Sequence, residues 1–588
     1  MAIETKTTPQ GVVVTEGVGF RAPMTFKSQS LYKRTKMRAE ELRMQRSDYL
    51  DEWKDISDYI QIRRGRYLIT DNRKRRRSKK VLHEAGTFAS RVLGAGMLAG
   101  VSSPSRPWLK LATPDGDLNE YKSVKAWLDI AQKRLYQVFT MSNYYHVKQT
   151  AFRDMGDFGQ GPVLIDEDFQ NVINLYCSPP GEYLLSVDSR GVVDTLYREL
   201  SRTTLQIIRR WGRSSPSEVI AAYDRGNYDK MWAITHAVEP NLRYVEGASG
   251  PLGMPWSSVY ICTEVGEGAD NRNGILEVKG YRDNPISAPR WEVQANDVYG
   301  DGPGALALPA VKSLQVLEKR KGQIVDKLAV PPMQGPADME TKGSVVNHTP
   351  GGMSYYGSNP TSGDPIRPLY QVDPRSLQVV NGEEQELVQR VQHAYFNDLF
   401  MQLSWSDRRQ ITAREIEERH EEKLIQLGPV LERTHYEGLN IEVKRAFGIL
   451  SRAQALPPPP DELDGVPLKV EYTSLLAVAQ RAVGVSTIER FSGFMGNLAG
   501  GNPEILDKWD MDQTVDEYAD SIGIAAATVR SDEEVEKIRQ QRRQQEQQMQ
   551  AAAAAQQGAD TAKVLSEADT GRRSNLLADI LGNRGRVV

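Results

Sequence analysis

The chain has 588 residues, with 74 Lys and Arg against 77 Asp and Glu, a formal charge of −3. Its length corresponds to roughly three or four domains, and its charge balance excludes a generic nucleic-acid binder, which would be clearly basic. Hydrophobic residues make up 39% and mean hydropathy is −0.51, enough for real cores but with much solvated helix or tail. The cysteines, Cys177 and Cys262, form neither a disulfide framework nor a zinc site and fit a reduced cytosolic setting. No stretch approaches the ~18 apolar residues of a membrane span. The opening MAIETKTTPQGVVVTEG lacks the basic and apolar regions of a secretory signal, so a soluble intracellular product is expected.

Along the chain, residues 1–29 are polar, Gly/Thr-rich and aperiodic, which predicts a disordered arm. A basic helix is expected over Leu31–Arg63, with Leu42, Tyr49, Trp53, Ile56 and Ile60 near helical spacing. Arg73–Lys80, RKRRRSKK, reads as a solvated loop or a phosphate contact. Thr87–Val101 is a small-residue helix suited to close packing. Val163–Leu200 alternates between turns at Pro179–Gly181 and Ser189–Gly191, predicting antiparallel sheet. A short helix follows over Thr203–Trp211, and strand character returns at Ser257–Tyr281 and Pro289–Ala295. The first half is thus α+β.

A helix is then expected over Leu308–Ala329, with Pro309 in its first turn and an apolar stripe of Val311, Leu314, Leu317, Ile324 and Leu328. The Gly/Pro/Ser-rich stretch beyond it is too long for an ordinary loop and reads as a small excursion domain. A second helix is expected over Glu383–Gln402, striped by Leu387, Val391, Tyr395 and Leu399. After the loop Leu403–Gln410, a charged helix spans Thr412–Phe447, with a kink expected at Gly428-Pro429. ALPPPP at Ala455–Pro460 is a rigid connector. Helices follow at Leu475–Arg481, Ser486–Leu498 and Thr514–Ile522, and Asp532–Gln557 is a strong helix former with almost no apolar face.

Catalytic motifs fail on inspection. No G-x-x-x-x-G-K-[ST] is present, and the glycine-rich GMLAG lacks a following Lys-Ser/Thr pair. His83-Glu84 and His420-Glu421 begin like zincin helices, but the second histidine is replaced by Thr87 and Leu424. The carboxylates Glu415, Glu417, Glu418, Glu421 and Glu422 have Arg414, Arg419 and Lys423 as helical partners, which favours a salt-bridged helix over a nuclease. These patterns imply no enzyme, no cofactor and no metal.

Several spaced segments occur in a characteristic order: SSPSRPWLKL, SNYY, GEYLLSVDSRGVVDTLYRE, YGDGPGALALP, ITAREIEERHEEK with LGPVLERTHYEGLN, and VEYTSLLAVAQRA. Together, from about Leu31 to Arg543, they resemble the portal (head-to-tail connector) proteins of short-tailed double-stranded DNA phages. The helix motif of that family, Thr-Ala, a variable residue and Glu, is matched by Thr412, Ala413 and Glu415. The resemblance implies an α+β portal fold assembled as a dodecameric ring. Its parts would be an arm at 1–29, a wing at 30–305, and a first stem helix at 306–329. A clip at 330–382 and a second stem helix at 383–402 would follow, then a tunnel loop at 403–411 and a wing helix with connector at 412–470. A helical crown at 471–557 and a flexible tail at 558–588 would complete the chain.

The function implied is a channel at one capsid vertex for DNA packaging and ejection, in the virion and, during assembly, in the host cytoplasm. Implied partners are further copies of the chain, non-sequence-specific double-stranded DNA, terminase, a tail adaptor, and the major capsid and scaffold proteins, with no membrane. Trp405, Arg408 and Arg409 are the candidate DNA-channel residues, the arginines making light phosphate contact or bridging neighbouring loops through Asp407. Leu314, Leu317, Leu387 and Val391 are the candidate stem-packing residues. The competing reading is a scaffold or internal virion protein without a channel, which would not need the helix–excursion–helix unit Leu308–Gln402.

Overall fold

A computed structural model describes residues 31–67, 80–115, 118–119, 121–265, 274–336, 347–356, 367–370, 373–405, 426–463, 465–474, 476, 491–496, 498, 509–522 and 532–567. The chain divides into two compact units, Met1–Gln480 and Arg481–Val588.

In the first unit the expected basic helix is two helices, α1 (Leu31–Arg46) and α2 (Leu50–Tyr59), joined by a 3-10 turn at Ser47–Tyr49. α3 (Ala85–Val101) buries Leu93, Met97 and Val101. A Cβ on its Gly94 would lie 2.9 Å from the Arg153 Cβ, so glycine sets that close approach. The short strand β1 (Leu109–Ala112) leads into two helices the sequence reading passed over, α4 (Lys122–Met141) and α5 (Tyr144–Phe158). α4 has the required stripe, burying Val124, Trp127, Leu128, Ala131, Leu135 and Val138.

The predicted antiparallel segment forms β2 (Val163–Asp168), β3 (Val172–Cys177), β4 (Tyr183–Val187) and β5 (Val193–Thr203). Gly181 and Gly191 take φ of 85° and 76° at the predicted turns. α6 (Thr204–Trp211) starts on a capping box in which the Thr203 hydroxyl accepts from the Gln206 amide. α7 (Ser217–Asp224) follows, then β6 (Met231–Pro240), β7 (Trp256–Cys262), β8 (Ile275–Tyr281) and β9 (Ile286–Ser287). The strands make an antiparallel sheet β4-β5-β6-β7-β8 and a smaller sheet β3-β2-β9. Alternation divides the larger sheet: Tyr197, Ala237, Val259 and Ile261 pack with α1, and Leu200, Ile234, Tyr260 and Cys262 with α6 and α7. The strand expected at Pro289–Ala295 is only a pair of isolated bridges, Gln160 to Arg290 and Glu292 to Asp301. Its Arg290 is instead turned toward a buried carboxylate.

α8 (Pro303–Ala329) begins before the expected Leu308, because extended Gly302 and Pro303 supply an N-terminus that costs no hydrogen bond. Pro309 therefore lies inside the helix, exposed. The excursion contains β10 (Met333–Pro336), β11 (Met353–Tyr356) and β12 (Arg367–Pro368), in the order β11-β10-β12. The expected helix Glu383–Gln402 is two helices, α9 (Arg375–Ala394) and α10 (Asn397–Trp405), so Leu403–Trp405 ends a helix rather than beginning a loop. Residues 426–434 are helical, including Gly428-Pro429. The departure from α geometry lies downstream, in a π turn at His435–Leu439 that continues into α11 (Asn440–Arg452). β13 (Lys469–Tyr472) closes the unit by pairing antiparallel with β1.

The second unit is helical where described. α12 (Met511–Ile522) contains the predicted Thr514–Ile522, and α13 (Asp532–Glu567) runs past the expected Gln557. Trp509 meets Phe491 edge-on at 5.8 Å, and Arg539 pairs with Asp512 at 2.6 Å. The arm 1–29, most of the RKRRRSKK run and most of the helices expected at Leu475–Arg481 and Ser486–Leu498 lie outside the described residues.

Candidate functional site

α8 and α9 form a helical hairpin whose apolar stripe is unevenly covered. Leu314 and Val391 are 1% and 0% exposed, whereas Leu317 and Leu387 are half-buried. Farther along, Val316, Val325 and Val379 are 50%, 46% and 68% exposed. The helices are joined by Lys321 Nζ to Glu384 Oε2 at 2.6 Å, and α8 is tied to α2 by Lys312 to Asp55 at 2.6 Å.

The π turn and α11 are held to the sheets by buried charges. Five residues close the turn instead of four, which brings Glu437 and Glu442 to one side, toward β9 and the segment after it. Arg290 donates to Glu437 Oε1 at 2.7 Å and Oε2 at 3.1 Å. Glu442, 1% exposed, accepts from Lys148 Nζ at 2.6 Å, Ser287 Oγ at 2.6 Å and Tyr144 OH at 2.7 Å. Burial and the neighbouring Glu442 charge push the Tyr144 hydroxyl well above its ordinary pKa of 10.0, keeping it a donor. Arg445, with no exposed side-chain surface, reaches Asp283 at 3.3 Å and Glu167 at 3.2 Å. Such pairs cost desolvation, and removing one partner strands the other. They act as struts fixing where this helix crosses the sheets.

A third cluster lies where α9 meets α10. The Asp157 carboxylate accepts from Ser90 Oγ at 2.6 Å and from Tyr395 OH at 2.7 Å, with Arg153 at 3.8 Å. Burial raises its pKa to about 6, against the opposing pull of Arg153. Beside it Asp154 accepts from Arg64 at 2.6 Å and from Gln61 at 3.1 Å.

Of the sequence-predicted residues, the structure brings Leu314, Leu317, Leu387 and Val391 to one hairpin. Trp405 is the last residue of α10, and Arg408 and Arg409 lie outside the described residues. Sequence reasoning missed Lys148, Arg290, Glu437, Glu442, Asp157 and Tyr395 as site-forming groups. The one available signal was Tyr395 in the helical stripe; a charged residue in a charged helix is otherwise read as solvated. Among the described residues no group of His, Cys, Asp and Glu could hold a metal, and no helix is long and apolar enough to cross a membrane.

The family model for the bacteriophage head to tail connecting protein matches residues 32–529. The chain belongs to this family. It is 38% identical over 542 residues to the portal protein of Salmonella phage epsilon15, covering 92% of this chain and 96% of that protein. It is likewise 38% identical, over the same shares, to a probable portal protein of Bordetella phage BPP-1. The head-to-tail connecting match runs from α1 to α12, and so includes the hairpin, the π turn and the buried struts.

Proposed function

We propose that this chain is a portal subunit. Copies assemble side by side into a ring, a dodecamer by family expectation, at one capsid vertex. Double-stranded DNA passes through its centre during packaging and ejection. The reading is carried by the near-full-length likeness to portal proteins. The hairpin supports it, because helices with a half-covered apolar stripe gain stability when a neighbouring copy completes the cover. In this reading α8 and α9 are the stem, the β10–β12 excursion is the clip that terminase and tail adaptor grip, and the sheets with α1–α7 are the wing facing the capsid and scaffold proteins. The second unit supplies the crown.

The near-neutral charge agrees with a sliding duplex, since each neutralised phosphate adds salt-dependent affinity that would hold DNA in place. Trp405 at the end of α10, with Arg408 and Arg409 after it, faces the channel in this reading. Electron micrographs of the purified full chain should show rings with a central hole. Dispersed monomers at every concentration would overturn the reading in favour of a scaffold or internal virion protein. Replacing Arg408 and Arg409 by Ala should leave rings intact and weaken retention of packaged DNA in a salt-dependent way. Unchanged retention at every salt concentration would remove the loop from the channel.

A further inference from the structure

The break between α9 and α10 has no local cause. The residues are Ala394-Tyr395-Phe396-Asn397, with neither the glycine nor the proline that sharp kinks normally need. Phe396 nevertheless sits at φ 53°, the left-handed region that a bulky side chain avoids. The next residue, Asn397, is fully buried, yet neither its Oδ1 nor its Nδ2 finds a hydrogen-bond partner among the described residues. A buried amide left unpaired on both atoms is costly and needs an explanation. Both features penalise the bend, and both would vanish if α9 ran straight on into α10.

Other contacts oppose that straightening. Tyr395, 0% exposed, donates to Asp157 at 2.7 Å. Leu399 and Phe400 are buried, and Phe400 lies against Gly96 of α3 so closely that a Cβ there would strike its ring. Phe396 packs near Trp291, with ring centroids 6.1 Å apart. Strain on one side and a hydrogen bond with packing on the other leave two arrangements close in free energy. We propose that the α9–α10 junction is a two-position joint, latched in the bent arrangement by Tyr395 on Asp157, with a continuous helix as the alternative. The inference goes beyond the portal reading and does not depend on ring formation.

Asn397→Cys in the full-length protein tests it, because it removes no hydrogen bond and places a thiol at the joint. The buried native Cys177 and Cys262 serve as internal references for global opening. Under native conditions a maleimide should modify the introduced thiol at least about tenfold faster than either native one, as local opening precedes global unfolding. Adding Phe396→Gly should slow that labelling, since glycine takes the left-handed φ without steric cost. Adding Tyr395→Phe should speed it. Backbone amides over Leu399–Trp405 should stay protected throughout, because α10 swings without melting. Labelling no faster than Cys177, indifference to Phe396→Gly, or loss of amide protection in step with labelling would each overturn the joint. If Tyr395→Phe fails to fold, the Phe396→Gly comparison decides alone. Leu399→Cys, buried on the same helix, replaces Asn397→Cys if that variant is unstable.

Discussion

The body formed by the two sheets and the α8–α9 hairpin solve opposite problems. The body takes ionised groups such as Lys148, Glu442 and Arg290 almost completely out of water and satisfies them internally. The hairpin leaves valines in water and Leu317 and Leu387 half-covered. A region that can bury charge already has its full complement of partners, whereas one that exposes aliphatic surface is waiting for cover. The body should therefore be stable within one copy, and the hairpin should gain its stability from a neighbour.

The largest effect should come from breaking a buried strut. Lys148→Ala strands Glu442 and should cost about 3–5 kcal/mol, read as a large fall in thermal midpoint with no dependence on protein concentration. Lys148→Met with Glu442→Leu should recover much of that loss. Next, Leu314→Ala with Val391→Ala removes the fully buried part of the hairpin and should cost about 2–5 kcal/mol per site, leaving rings scarce in sedimentation while monomer stays soluble. Unchanged ring yield would count against the stem assignment.

Leu317→Ala with Leu387→Ala sharpens the contrast. In a lone copy these half-buried positions should cost little, so the monomer midpoint should hardly move while ring yield falls. Equal losses in both measurements would mean that the hairpin is completed within one chain.

The smallest effects concern pH and have opposite signs. His236 is held well below its ordinary pKa of 6.5 by burial and by the nearby Arg198 and Arg210. Its neutral form stacks on Tyr260 at 3.8 Å and bonds Ser258 at 2.9 Å. The unfolded chain takes up the proton that the folded one refuses, so stability should be full above about 6.5 and fall as pH drops below it. Asp157, raised to about 6, does the reverse: its contribution is present below the unfolded value of 3.8 and is lost as pH rises through about 6. Denaturant titrations of His236→Gln and Asp157→Asn across pH 3 to 8 should remove the two slopes separately.

Much of the fold was legible because local rules and tertiary structure agree. Turn glycines at 181 and 191, the Thr203 cap and the alternation of Val163–Leu200 all reflect short-range physics. α4 was legible too, through Trp127, Leu128, Ala131, Leu135 and Val138, and was simply passed over. The start of α8 was misread because Gly302 and Pro303 look like loop residues until they are seen as a helix entrance. The α9–α10 break could not be read, since Tyr395-Phe396 carries no turn chemistry and distant contacts impose the bend. Lys148 and Glu442 stayed invisible for a related reason: a charge is recognised as buried only when its partner, hundreds of residues away, is known.

The π turn at His435–Leu439 makes the length of this segment a quantised property. Deleting one residue from it would restore an ordinary α-helix at small local cost. Everything downstream would then change phase by about 100°, carrying Glu442 away from Lys148 and Arg445 away from Asp283. Glu437 and Glu442 therefore act as a vernier across the turn. Single-residue insertions or deletions between them should be excluded among functional sequences, while substitutions of exposed residues such as Tyr436 remain open.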